Sequence, residues 1–174
     1  PGPVLFKQKR VGRGKSHFYI LKFRTMRIDT PKDMPTHLLS NPQQYITRVG
    51  RFLRKTSLDE LPQLFNILFG DMAVVGPRPE RPEIAKQYEE EMPEFVFRMK
   101  VKAGLAGYAQ VYGKYNTTPY DKLKLDLFYI ENYTLWLDIK LMLLTLKILF
   151  QAESTEGIDN SQVTAMKTVD RTEE

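Results

Sequence analysis

Residues 56–71 read TSLDELPQLFNILFGD. Ser57 and Glu60 stand in the S-x-x-E spacing of a capping box, in which the serine hydroxyl takes an early helix N–H and the glutamate reaches back to the cap. Pro62 falls in the first turn, where its missing N–H costs least. Leu61, Leu64, Phe65 and Leu68 recur at helical spacing and predict a buried stripe, and Gly70 marks the stop. The stretch therefore reads as a short helix with two adjacent carboxylates, Asp59 and Glu60, at its mouth. In the plainer chemistry Glu60 caps and Asp59 complements the helix dipole. In the sharper one the same N–H groups favour anions and keep a carboxylate ionised near neutral pH, as a nucleophile must be. Two neighbouring carboxylates can also hold Mg2+ together with substrate phosphate. Spacing alone leaves both readings open.

The surroundings are basic. Arg48, Arg51, Arg54 and Lys55 precede the stretch, and Arg78 and Arg81 follow it. Residues 43–55 read as a helix whose apolar face is Ile46, Val49, Phe52 and Leu53. Upstream, residues 4–10 and 18–23 are short apolar-aromatic runs separated by Gly12-Arg13-Gly14-Lys15, which predicts a β-hairpin. Strand alternation puts Lys22 and Arg24 on one face and Phe23 on the other, an arrangement suited to a phosphate or to a solvated edge strand. Downstream, prolines bracket Arg78 in Gly76-Pro77-Arg78-Pro79 and fix the backbone that aims its guanidinium, a bidentate phosphate ligand by geometry. The glycine-rich residues 103–113 predict a tight loop where backbone approaches a ligand, but they match neither a Rossmann fingerprint nor a P-loop. Thr118 and Pro119 open a helix, and residues 135–150 form a second one, apolar on nearly all sides, suited to a buried or a lipid-interfacial position.

The whole chain, 174 residues with 42% hydrophobic and 27% charged side chains, reads as one globular domain over residues 1–150, followed by a polar, disordered tail over 151–174. The fold class expected is α+β, mainly helical, with a short N-terminal β-hairpin and several amphipathic or interfacial helices. Residues 30–42 read as a mobile loop. Cysteine is absent, which excludes disulfides and thiolate metal sites, and the two histidines, His17 and His37, have no companions that would make a zinc site. Net charge is +5, while residues 151–174 hold six acids against two bases, so the body is more basic than the total suggests. A basic body favours anionic partners. No apolar run is long enough to span a bilayer.

Taken together, these strings resemble a known family. They are Gly2-Pro3 with Gln8 and Arg10-Val11-Gly12; KFRTM at 22–26; RVGRFLRKTSLDELPQLFNILFGDM at 48–72; VGPRPE at 75–80; and AGLAGYAQVYGK at 103–114. In that order they are similar to the catalytic domain of bacterial monotopic phosphoglycosyl transferases, the polyprenyl-phosphate sugar-phosphate transferases. Ala103 and Ala106 depart from the family's usual Pro-Gly-Leu/Ile-Thr-Gly. The resemblance implies transfer of a phospho-sugar from a UDP-sugar to a polyprenyl phosphate, with release of UMP, the first membrane step in making bacterial surface polysaccharides or glycoconjugates. It implies Asp59 as nucleophile, forming an aspartyl phospho-sugar, and Glu60 with Asp59 as ligands to a Mg2+ cofactor. Read by residue type within that frame, Lys22, Arg24, Arg54, Arg78, Arg98 and Lys102 are the candidate phosphate and nucleotide contacts. It further implies a membrane-surface partner, a location on the cytoplasmic face of the inner membrane, and a hydrophobic re-entrant helix preceding Pro1. Without that helix the domain is expected to be soluble or peripheral. A homo-oligomer is compatible with it. The alternative is a non-catalytic basic module on anionic lipid. A nucleic-acid partner is not expected, because no helix-turn-helix, zinc-finger or RNP-like pattern is present.

Overall fold

The computed structural model describes residues 2–30, 41–114 and 116–150. The loop expected around His37 and the tail from Gln151 lie outside the described residues. The chain opens with the predicted hairpin, strands β1 (Leu5–Val11) and β2 (His17–Phe23), paired antiparallel from Leu5 opposite Phe23 to Val11 opposite His17. Gly14 and Lys15 turn it, both with φ of +63°. Phe18 and Ile20 point inward while Tyr19 points out, so β2 has the one-sided alternation of a half-buried strand.

Helices follow: α1 (Arg48–Lys55), α2 (Gln63–Leu68), α3 (Pro82–Glu91), α4 (Tyr108–Tyr112), α5 (Pro119–Asn132) and α6 (Leu135–Phe150). Residues Pro93–Lys100 are 3-10 helix. Two short parallel strands, β3 (Ala73–Val75) and β4 (Gly104–Ala106), tie the middle of the chain together. The expected α+β, mainly helical architecture with an N-terminal hairpin is what the chain adopts.

Buried apolar side chains gather between these elements. Phe18 and Ile20 of the hairpin pack with Met72, Ala103 and Ile67. Ala85, Met92, Phe95, Met99 and Leu123 join α3 and α5 to the 3-10 segment. Val75, Tyr129 and Leu141 seat α5 and α6 on β3. The predicted start of α5 holds: the Thr118 hydroxyl accepts from Asp121 N at 3.1 Å, with Pro119 just inside.

The stretch at 56–71 departs from its reading in two ways. First, no capping box forms. Ser57 sits at φ +53°, a left-handed conformation that disfavours a Cβ, and caps nothing with its side chain. It turns the chain from α1 into a 3-10 turn at Leu58–Glu60, and α2 proper begins only at Gln63. Second, α2 is inverted. Leu61, Leu64, Phe65 and Leu68 are exposed, Leu68 at 76%, while Gln63 and Asn66 are buried at 1% and 2%. The helix turns its polar side inward because Asn66 completes the edge of β2. Its Oδ1 accepts from Leu21 N at 3.0 Å, and its Nδ2 donates to Tyr19 O at 2.8 Å and to Asp71 Oδ2 at 3.2 Å. The apolar face expected for residues 43–55 is likewise open at Val49 and Phe52.

Asn66→Asp tests this clamp. The aspartate can still accept from Leu21 N, but it cannot donate to Tyr19 O and it faces Asp71. A broken buried network of this kind costs about 2–4 kcal/mol, read as a lower denaturant midpoint with unchanged slope. A midpoint equal to that of the unsubstituted protein would remove Asn66 from the account of α2.

Candidate active site

Three elements converge on Glu60. The 3-10 turn after Ser57 carries it, the end of β2 brings Lys22, and the proline-bracketed loop after β3 brings Arg78. Lys22 Nζ donates to Glu60 Oε1 at 2.6 Å and Arg78 Nη2 donates to the same oxygen at 2.5 Å. Arg78 Nη1 lies 3.4 Å from Oε2. Lys22 therefore uses the strand face predicted for it, but against a carboxylate rather than against solvent. Burial alone would push the Glu60 carboxyl up; the charges of Arg78 and Lys22 and their hydrogen bonds outweigh it and hold the group down to about 2. Burial, with the charge of Arg78, lowers Lys22 against the pull of Glu60.

Asp59, next in the chain, has a different fate. Unlike Glu60, its carboxylate is in no side-chain ion pair among the described residues, and the hydrogen bond it has is to its own backbone N–H. Burial pushes its carboxyl above the usual carboxylate range; Lys22 and Arg54 pull it down, Glu60 adds to the rise, and the net direction is upward. The two neighbours are thus split by environment. One is a fixed, ionised anchor for cations. The other is a free and more basic carboxylate. The capped helix N-terminus expected around the pair does not form: the Ser57 reversal removes the cap, and the partners of Glu60 sit on distant segments.

Asp59 lines a pocket of about 740 Å3 with Lys22, Arg24, Arg54, Arg10 and Arg81. Thr47 caps α1 by accepting from Gly50 N at 2.9 Å, which sets the helix so that Arg54 in its last turn donates to the buried Thr25 Oγ1 at 2.9 Å. Arg24 Nε donates to Pro3 O at 2.8 Å. Basic side chains far outnumber the two acids, Asp59 and Glu83, in the wall, so the pocket suits an anionic ligand. Arg10, quoted in the sequence strings but given no role there, is brought in by β1. It donates to Pro79 O at 3.0 Å and to Gln8 Oε1 at 2.6 Å, and burial, against the charge of Glu80, lowers it to about 10. Its distant partner, Pro79 O, lies 69 residues along the chain, where no local signal reaches it.

The remaining candidates lie elsewhere. Arg98 is committed to holding the fold: it donates to Asp126 Oδ2 at 2.7 Å and to Arg78 O at 3.0 Å, so it steadies the Arg78 loop from behind. Lys102 Nζ lies beside Gly70 at the C-terminal end of α2 and does not line the Asp59 pocket.

The fold and this constellation define a class, and comparison with known proteins places the chain in it. The bacterial sugar transferase family matches residues 1–152, and the chain belongs to that family. It is 40% identical over 150 residues to the UDP-N-acetylgalactosamine-undecaprenyl-phosphate N-acetylgalactosaminephosphotransferase of Aeromonas hydrophila, covering 84% of this chain and 35% of that one. It is 43% identical over 150 residues to the UDP-glucose:undecaprenyl-phosphate glucose-1-phosphate transferase of Xanthomonas campestris pv. campestris, covering 83% and 31%. The transferase of the same name in Escherichia coli strain K12 is 40% identical over 150 residues, covering 83% and 32%. The chain spans about a third of the length of these relatives.

Outside the pocket, α2 and the residues beside it expose a run of large apolar side chains, with Phe69 at 74% beside Leu68. Trp136 on α6 is 79% exposed. Among the described residues no helix is long and apolar enough to cross a membrane.

Proposed function

We propose that this chain is the catalytic domain of a phosphoglycosyl transferase that moves a sugar phosphate from a UDP-sugar to a polyprenyl phosphate. The observation that carries this is the split pair: a free, raised Asp59 carboxylate in a basic pocket, beside a Glu60 locked to Lys22 and Arg78. A carboxylate raised by burial is a stronger nucleophile once ionised, and it sits where cations can hold a diphosphate. The names of the relatives, which pair a UDP-sugar with undecaprenyl phosphate, support the same reading.

In the first step an Asp59 oxygen attacks the β-phosphorus of the UDP-sugar. The Asp59 O–P bond forms, the P–O bond to the α-phosphate breaks, and UMP leaves with that electron pair. In the second step a phosphate oxygen of the polyprenyl phosphate attacks the same phosphorus. The Asp59 O–P bond breaks, the carboxylate is regenerated, and polyprenyl-diphosphate sugar departs. Arg54, Lys22, Arg24 and Arg78 hold and orient the phosphates throughout.

Two carboxylates with substrate phosphate are a sufficient donor set for Mg2+. Asp59 is unpaired, and Glu60 Oε2 keeps capacity beyond its one long contact, so the residues present fit the ion. Asp59 and Glu60 would hold it, and bound there it supplies charge neutralisation to the diphosphate. The outward apolar face of α2 and Trp136 on α6 fit a lipid interface, where the polyprenyl substrate resides at the membrane surface.

The test is UMP release by the full-length protein from a panel of UDP-sugars with Mg2+ and a short polyprenyl phosphate. Release dependent on one or more sugar nucleotides is expected. A folded, membrane-associated protein that releases no UMP from any of them would overturn the proposal.

A further inference from the structure

The loop that carries Arg78 is poor in donors. Prolines stand at 77, 79 and 82, and none of them has an N–H to give. The loop is held instead by its acceptors. The four successive carbonyls from Pro77 to Glu80 each accept a hydrogen bond, from donors on three separate elements. Gly104 N of β4 reaches Pro77 O, and Val11 N of β1 reaches Glu80 O, each at 2.9 Å. The two carbonyls between them are held by side chains. Arg98 Nη2 donates to Arg78 O and Arg10 Nη1 donates to Pro79 O, each at 3.0 Å.

Arg10 reaches the loop from the inner face of β1. It stands opposite Phe18, and Gln8 opposite Ile20, and both of those β2 residues are buried. Opposed residues of an antiparallel pair share a face. Gln8 Oε1 accepts from Arg10 Nη2 at 2.6 Å and braces the guanidinium. Arg10 Nε is shut off from solvent and has no partner among the described residues. The other arginines of the Asp59 pocket are arranged the opposite way. Among the described residues Arg24 and Arg54 are hydrogen-bonded through Nε alone, to Pro3 O and Thr25 Oγ1, which leaves their terminal nitrogens to a ligand. Arg10 spends both terminal nitrogens on the protein and keeps back only the one that no phosphate can reach.

Resting on the transferase reading above, we propose that Arg10 is a positioning residue for that reaction: braced by Gln8, it fixes the Pro79 carbonyl and so holds Arg78 against Glu60. Arg98 fixes the carbonyl one residue earlier, so the backbone that aims the Arg78 guanidinium is gripped at two successive peptides. Removal of Arg10 frees Pro79 O and lets Arg78 drift from Glu60, without deleting a group that touches substrate.

The test is a double-mutant cycle of Arg10→Ala and Arg78→Ala in the full-length protein, read as kcat/KM for UMP release well below the unfolding temperature of each variant. Arg10→Ala is expected to lower it at least about tenfold alone and less than about threefold on top of Arg78→Ala, because the effects of residues that act as a unit are not additive. Arg10→Lys keeps the charge but not the paired donation and is expected to lose at least about fivefold. Gln8→Ala is milder: it is expected to cost about threefold alone and less than about twofold on top of Arg78→Ala, which keeps the cycle readable if Arg10→Ala does not fold. The four proteins of the main cycle are also unfolded in denaturant, where Arg10→Ala is expected to lower the midpoint at most about half as far when Arg78 is already alanine. Losses that multiply through the cycle, as those of an independent phosphate ligand would, overturn the proposal; so does Arg10→Lys within about twofold of the unsubstituted protein, since charge alone would then suffice. No UMP release from the unsubstituted protein sinks the transferase reading instead, and the unfolding cycle then decides whether Arg10 holds Arg78.

Discussion

Asp59→Asn in the full-length protein is expected to lower UMP release at least about a thousandfold, a loss of about 4 kcal/mol of transition-state stabilisation. Asparagine has the same shape but no carboxylate oxygen with which to form the O–P bond, so both half-reactions lose their common atom. Fold loss cannot mimic this effect. The Asp59 side chain is in no side-chain ion pair among the described residues, the hydrogen bond it has is to its own backbone N–H, and its charge is opposed by burial. A group raised in the folded state is held more comfortably uncharged, so the neutral amide leaves the unfolding temperature unchanged or slightly higher. Intact mass after mixing with UDP-sugar alone gives the second readout: a phospho-sugar adduct on the unsubstituted protein and none on the variant. Turnover within tenfold of the unsubstituted protein would take Asp59 out of the mechanism.

Much of this was open to a reader of the sequence, for identifiable reasons. The hairpin is local, its strands alternate and its turn is glycine-marked, so its pairing follows from residues 4–23 alone. Thr118-Pro119 announces the start of α5 in the same way. The inversion of α2 was not readable. Helical periodicity finds an apolar face but does not say whether protein or something else covers it. The clue was the polar pair Gln63 and Asn66 at i and i+3, and its meaning depends on the edge of β2, some 45 residues away. Ser57 matched a capping motif, yet its backbone was set by the need to reverse the chain after α1.

The site divides along the same line. That Asp59 and Glu60 sit among cations is plain from the string. Which carboxylate is anchored and which is free depends on partners 38 and 18 residues distant, Lys22 and Arg78. Arg98 looks like any other basic candidate until Asp126 and the Arg78 carbonyl are found against it.

Gly104→Ala is expected to be the most damaging single change outside the pocket. The glycines at 103–113 suggest a loop drawn close to a ligand, but the close approach is between two backbones. Gly104 lies across β3–β4 from Gly76, the residue that opens the Arg78 loop. Gly76 N donates to Ala106 O and Gly104 N to Pro77 O, each at 2.9 Å. A Cβ on Gly104 would fall 2.1 Å from Gly76 N and 2.5 Å from its Cα. The obstacle is main chain, so no rotamer relieves it, and the strands must part and give up those bonds. Overpacking of this kind together with the lost hydrogen bonds costs about 3 kcal/mol or more. In a domain of this size that is a fall of about 10 °C in unfolding temperature. Separation of β3 from β4 also carries Pro77 and Arg78 away from Glu60, so UMP release falls with it. Gly14→Ala is the matched control: no atom lies within 4 Å of its Cβ, and only the left-handed backbone at φ +63° resists it. It is expected to cost about 1 kcal/mol and leave turnover intact. Equal unfolding temperatures for the two variants would mean that the Gly76–Gly104 contact does not hold the Arg78 loop in place.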